Sequence, residues 1–161
     1  MRLSNLDYGV VLQIVENAHD IEQIYTLHGH RDPAVIANSV MAAANFSWVA
    51  WADGAPVTVF GAREIYDGVW HTYLLTTADF RKIALPLTKF AKRTVVPTLF
   101  EKIGAHRLEA FLHEDNVFIH RWVEALGARR EFVKENFSRD GKAYFGYAIC
   151  KGTIDPQNQT G

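Results

Sequence analysis

The sequence predicts a mixed α/β (α+β) fold with elements in the order β-α-α-β-β-β-α-β-α-β-β. Three observations predict it. Short apolar and aromatic runs are closed by Asp-Gly and Asn-type turns, the punctuation of strands. Between them lie segments with apolar residues at helical spacing and cap residues at their ends. Residues 106–131 then read strand, acidic turn, helix, glycine and strand without a break.

Gly9 to Val15, VVLQIV at its core, is expected as the first strand. Asn17-Ala18-His19-Asp20 is a turn with capping character that opens a helix over Ile21 to Leu27. His28-Gly29-His30-Arg31-Asp32 breaks it. Asp32 then caps a second helix, Ala34 to Ala44, with Pro33 in its first turn. Phe46 to Ala52 and Pro56 to Ala62 flank Asp53-Gly54, a hairpin turn that favours positive backbone angles. A turn at Tyr66-Asp67-Gly68 leads to a third strand, Val69 to Thr76, completing an antiparallel meander. In Thr77 to Gly104 the apolar Phe80, Ile83, Ala84, Leu87, Phe90 and Ala91 keep a helical period, with basic residues off the stripe. Proline lacks an N–H and clashes with the preceding turn. Pro86 and Pro97 are therefore expected to divide this segment into a helix to Thr94 and a shorter one after Pro97.

The 106–131 stretch is the most informative. Leu108 to Leu112 suits a buried strand. His113-Glu114-Asp115-Asn116 is a turn ending in two good N-cap residues. Phe118, Ile119, Trp122, Val123 and Leu126 form one face of a helix from Val117 to Leu126, stopped by Gly127. Arg130 to Phe137 and Lys142 to Lys151 form a last hairpin around Ser138-Arg139-Asp140-Gly141.

At 161 residues, 48% hydrophobic and 22% charged, the chain suits one soluble domain over residues 1–151, with a polar, mobile tail at 152–161. A net charge of −1 gives no reason to expect a nucleic-acid partner. Cys150 is the only cysteine, so no disulfide framework is expected. The N-terminus lacks a signal pattern, and no apolar run suits a membrane helix. A reducing cytoplasm fits.

Arg107, Leu108, Asn116, Leu126 and Gly127 stand in register with the C-terminal half of the GNAT (Gcn5-related N-acetyltransferase) pattern, and the element order matches as well. On these residues the chain resembles that superfamily. The resemblance implies a mostly antiparallel seven-stranded sheet flanked by helices and split at its middle. It also implies acetyl-CoA or coenzyme A at the junction after the fourth strand. There the family has V-x-P-x-x-[QR]-x-x-G-x-[GA], whose backbone N–H groups cradle the pyrophosphate. Here Arg81 falls on the Gln/Arg position, Ala84 replaces the first glycine, and Pro86 replaces the last small residue. By the resemblance, Leu75, Thr76, Arg81, Lys82, Lys89 and Asn116 are the candidate cofactor contacts. The three cations would replace the damaged cradle; the alternative is the solvated face of a helix. Asn116 is a cap or a cofactor contact.

Amine acylation needs a base, an oxyanion donor and an acid for the leaving thiolate. The family's acidic tyrosine, seven residues after the asparagine, is Val123 here. His113 and His120 are the candidates to replace it, because histidine exchanges protons near neutrality. Glu64, His71 and Tyr73 are candidate bases from the central strands; the plainer reading makes them ordinary sheet residues. His28, His30 and Asp32 superficially suggest a metal cluster but lack a further ligand series, so no metal is expected.

Arg121-Trp122 before Leu-Gly further resembles a divergent GNAT-like group of tailed bacteriophages that includes internal virion proteins. That likeness implies action in an infected bacterium's cytoplasm or in a virion. Three functions compete: an acyl-CoA-dependent N-acyltransferase with a small-molecule acyl donor, a catalytically inactive protein that contacts a host or virion protein, and a small-molecule binder. Both a monomer and a homodimer suit the sequence.

Overall fold

In the computed structural model, which describes residues 1–29 and 31–152, the run read as a first strand is a helix. Helix α1 spans Tyr8–Glu16. Asp7 caps it by accepting the Val10 N–H, and Val11, Ile14 and Val15 turn inward at helical spacing. Five apolar residues within six positions fit either period, so burial on a single helical face decided the conformation. The first strand lies earlier: β1 is Arg2–Ser4 and pairs with β2.

Helices α2 (Ile21–His28) and α3 (Pro33–Ala42) follow, α3 capped by Asp32, which accepts the Ala34 N–H. The meander forms as expected: β2 Phe46–Ala52, β3 Ala55–Tyr66 and β4 Val69–Thr76, with Asp53 and Gly54 both at positive φ. Strand β3 outruns its expected end, so Glu64 lies within it. The expected His28, His30 and Asp32 grouping depends on His30, and the tail expectation on residues 153–161; both lie outside the described residues.

The next segment corrects the reading of its prolines. A 3-10 turn, Ala78–Lys82, precedes α4, Ala84–Phe90. Pro86 sits in the first turn of α4, where its missing N–H has no partner to lose. Beyond Phe90 the helix does not stop at Thr94. It widens to π turns over Ala91–Val95 and Thr98–Ile103 and ends at left-handed Gly104. The Val96 and Gly104 N–H groups each reach back five residues, to the Ala91 and Leu99 carbonyls. Wider turns carry the chain past Pro97 without breaking the helix.

Strand β5 (Arg107–His113), helix α5 (Val117–Ala125), β6 (Arg129–Lys134) and β7 (Tyr144–Cys150) complete the chain. The sheet has seven strands in the order β1-β2-β3-β4-β5-β7-β6, antiparallel except for β4 beside β5. One face packs on α1, α2 and α3 through Val11, Ile14, Ile24, Ile36, Val49 and Val59. The other packs on α4 and α5 through Phe60, Phe80, Leu87, Ile119, Val123 and Tyr147. No helix among the described residues is long and apolar enough to cross a membrane.

Candidate active site between the fourth and fifth strands

Strands β4 and β5 pair over three positions only: Val69 with Arg107, Trp70 with Leu108, and His71 with Glu109. At the next residue the Thr72 hydroxyl, not a ladder bond, reaches the Glu109 carbonyl at 3.0 Å. Beyond it the strands part. β4 follows β3 out to the Thr58–Thr76 pair, while β5 follows β7 out to His113–Tyr144. The α1–α2 turn pins the far end of β4: His19 N–H donates to the Thr76 carbonyl at 2.8 Å, and Ala18 bridges Thr77. The wedge encloses a cavity of about 440 Å3 that reaches both faces of the sheet. Among the described residues, the facing edges of β4 past His71 and of β5 past Glu109 have no strand partner.

The ends of the wedge differ chemically. At the closed end, on the face toward α1–α3, Arg63, His71 and Glu109 form a row across β3, β4 and β5. Burial lowers the proton affinity of His71, Arg63 lowers it further, and Glu109 opposes; the imidazole is held neutral. Its ring lies against Phe111, centroids 5.2 Å apart. Glu109 is engaged by Arg107 at 3.1 Å, and Arg107 also grips Glu131.

At the open end, Asn116 Nδ2 donates to Asp20 Oδ2 at 3.2 Å, crossing the mouth from α5 to α2. Asp20 is the N-cap residue of α2 by position, yet its side chain does not cap, and its buried Oδ1 meets no donor among the described residues. Burial raises its carboxyl above the ordinary carboxylate range. Tyr144 lies beside it, its hydroxyl pushed up to about 12 by burial and the charges of Asp140 and Asp20. His113, 4% exposed, accepts the Asp115 N–H on Nδ1, which leaves the proton on Nε2, facing Asp140 at 3.4 Å.

No family model matches the chain, and no curated protein matches its sequence. Solved structures do match its shape. The GNAT-family acetyltransferase of Bacillus anthracis aligns at TM-score 0.67 and 17% identity, over 92% of this chain and 93% of that one. The ribosomal-protein-S18-alanine N-acetyltransferase of Escherichia coli aligns at 0.69 and 14%, over 98% and 97%. A phosphinothricin acetyltransferase of Sinorhizobium meliloti, solved with AcCoA, aligns at 0.69 and 13%, over 92% and 87%. The fold is that of the GNAT acetyltransferases.

Within this GNAT fold the sequence-derived candidates scatter. Leu75, Thr76, Tyr73, His113 and Asn116 all line the cavity. Tyr73 donates to or accepts from Ser47 at 2.6 Å, and burial raises its hydroxyl. Asn116 does not cap α5 with its side chain, correcting that half of its expected role; Asp20, remote in sequence, has taken the amide. His120 is not among the cavity residues. It is buried beneath α5, Nε2 donating to the His113 carbonyl at 2.9 Å and Nδ1 meeting the Tyr147 hydroxyl at 3.0 Å. Glu64 is outside the cavity too and accepts the Gly68 N–H, closing the β3–β4 turn.

The basic residues are split along this segment: Arg81 and Lys82 end the 3-10 turn before α4, and Lys89 is in the last turn of α4. Lys82 pairs with Asp79 at 3.1 Å and with Asp53 at 3.7 Å, Arg81 lies over the Phe118 ring, and Lys89 is exposed. Phe80 packs edge-on against Phe118 and Trp122 beneath the 3-10 turn that replaces the glycine loop. Trp122 donates to the Thr88 hydroxyl at 2.8 Å, tying α5 to α4. Val123 is in the core. Sequence reasoning missed Asp20, Arg63, Glu109 and Tyr144. Register counted from the Asp53-Gly54 and Tyr66–Gly68 turns places Arg63 beside His71; no local signal marks the other three.

Proposed function

We propose that the chain is an acyl-CoA-dependent N-acyltransferase. One observation carries the reading: β4 and β5 pair over three positions and then part around a cavity of about 440 Å3 with open strand edges. Strand edges present unpaired N–H and C=O groups. A narrow, largely apolar slot between two such edges fits a pantetheine arm, whose amides need those partners. Leu75 and Thr76 supply the β4 side. Arg81, Lys82 and Lys89 would meet the phosphates; Lys82 would exchange exposed carboxylate partners for phosphate oxygens, and exposed ion pairs of that kind hold weakly. Pro86 is not among the residues that line the slot. Acyl-coenzyme A, when bound, would supply an acyl group activated as a thioester, with coenzyme A leaving as the thiol.

The protein's own part is to handle protons at the acceptor. His71, neutral and lining the cavity, takes the proton of an incoming ammonium. His113, with its proton on Nε2, and the Tyr144 hydroxyl are the proton donors nearest the open end, standing in for the acidic tyrosine that Val123 replaces. The test is calorimetric titration with acetyl-CoA and coenzyme A, followed by a thiol-release assay on wild type and His71→Ala. Binding in both, with transfer at least tenfold slower in His71→Ala, is expected. No heat and no thermal shift at millimolar ligand rejects the reading.

A second reading is favoured by the partners Lys82 already holds and by Val123: a phage-encoded, non-catalytic GNAT fold that contacts a host or virion protein in the bacterial cytoplasm. A stoichiometric partner recovered from bacterial lysate, by a chain that ignores coenzyme A, is its expected signature. Acetyl transfer without such a partner removes it.

A further inference from the structure

The row Arg63–His71–Glu109 on the face toward α1–α3 holds an unbalanced charge. Residues directly opposite on neighbouring strands have side chains within reach of each other. Glu109 is satisfied by Arg107, which bridges it to Glu131. Arg63 lines the same cavity and forms no ion pair among the described residues. The helices above bring Ile24, Ile36, Ser39, Val40, Ala43 and Gln23, and their one charged residue on the cavity, Asp20, lies at the open end, where Asn116 takes it. Arg63 is exposed at the rim of the cavity and His71 is half-buried beside it, and a guanidinium next to an imidazole is an arrangement that selects a planar anion.

We infer that Arg63 holds the carboxylate of the acceptor, so that the acceptor is an amino carboxylate with its amine close to the acid group, of the free amino-acid type. The inference rests on reading the slot as an N-acyltransferase site. The spacing supports it. Paired residues on adjacent strands stand about 5 Å apart at Cα. A carboxylate on Arg63 therefore leaves an amine a few bonds away within reach of His71. Glu109, committed to Arg107, repels the carboxylate from the other end of the row and so sets the direction in which the acceptor lies. Bound in this way, the acceptor carboxylate offsets the effect of Arg63 on His71 and makes the imidazole a stronger base when the amine is present. The groups facing His71 in this account are Arg63 on β3, Glu109 on β5 and the Phe111 ring.

The experiment uses the full chain with saturating coenzyme A. Saturation-transfer NMR and calorimetry compare leucine, phenylalanine, lysine and glutamate with the amines left when each loses its α-carboxylate. At least one amino acid is expected to bind roughly ten- to hundredfold more tightly than its amine, the range of a charge-assisted hydrogen-bonded pair. Arg63→Met should erase the difference, and Arg63→Lys should keep part of it. The imidazole carbon shifts of His71, followed against pH, should show its proton affinity rising in Arg63→Met and rising again in wild type when the amino acid binds. Equal affinity for acids and amines, no binding of any amino acid, or an unchanged preference in Arg63→Met overturns the inference. Coenzyme A is titrated into the same variants without acceptor. Loss of that binding in wild type overturns the transferase reading separately, since the amino-acid comparison can be repeated without coenzyme A.

Discussion

Gly61 should not tolerate alanine, and the structure says by how much. It lies in extended backbone on β3, paired with Ser47 on one side and Tyr73 on the other. The Ser47 and Tyr73 hydroxyls meet at 2.6 Å across it. A Cβ there would stand 2.2 Å from Ser47 Oγ, 2.7 Å from Ser47 Cβ and 2.7 Å from the Phe46 carbonyl oxygen. The last contact is with the backbone of a neighbouring strand and has no rotamer to escape through. Overpacking of this kind costs about 1–3 kcal/mol. Displacing Ser47 also forfeits its bond to half-buried Tyr73, about another 1 kcal/mol. Gly61→Ala should therefore lose roughly 2–4 kcal/mol, a large share of a typical ~5–15 kcal/mol total. In a chain of this size that lowers Tm by on the order of 10 °C. Urea unfolding followed by far-ultraviolet circular dichroism measures it. Gly146→Ala is the control: the atoms nearest its new Cβ, from 2.3 Å, belong to the Phe132 ring, a 37% exposed side chain with rotamers to move to, not to backbone. The control should lose about 1 kcal/mol or less. Removing Ser47 Oγ and Cβ with Ser47→Gly should recover part of the Gly61→Ala loss. A Gly61→Ala protein within about 0.5 kcal/mol of wild type, or a Gly146→Ala protein harmed more, refutes the packing argument.

Two further outcomes follow from the open end of the slot. Burial raises the Asp20 carboxyl, so between the unfolded value of 3.8 and the folded value the native state holds the extra proton. Its contribution to stability is lost as pH rises through that window, and Asp20→Asn should melt higher than wild type at neutral pH, with the gap closing at and below the ordinary carboxylate range. A variant that melts lower at neutral pH contradicts this. Tyr144 should titrate near 12 by carbon-13 tyrosine NMR and fall toward its ordinary value in Asp20→Asn, because one of the charges that raises it is gone. Titration of the wild-type residue at about 10 removes the burial argument.

Local chemistry alone made much of this chain legible. Asp53-Gly54, Tyr66–Gly68 and Gly127 stop and turn the backbone whatever surrounds them, because their φ preferences belong to single residues. The apolar face of α5 and the meander of β2, β3 and β4 follow from periodicity that burial reinforced. Three things were decided only in three dimensions. The run at Val10–Val15 fits strand and helix alike, and it became α1 because β2 and β3 offered a surface for one helical stripe. Pro97 was absorbed by π turns because Leu99 and Phe100 are buried against the sheet on the far side of it. The slot itself depends on where β4 and β5 cease to pair, which is set by β3 and β7 pulling outward and by the α1–α2 turn holding Thr76. Asn116 shows the limit most plainly. Its side chain serves Asp20, 96 positions away in sequence, and a residue's type reports what it can bond to but not which partner the fold will bring.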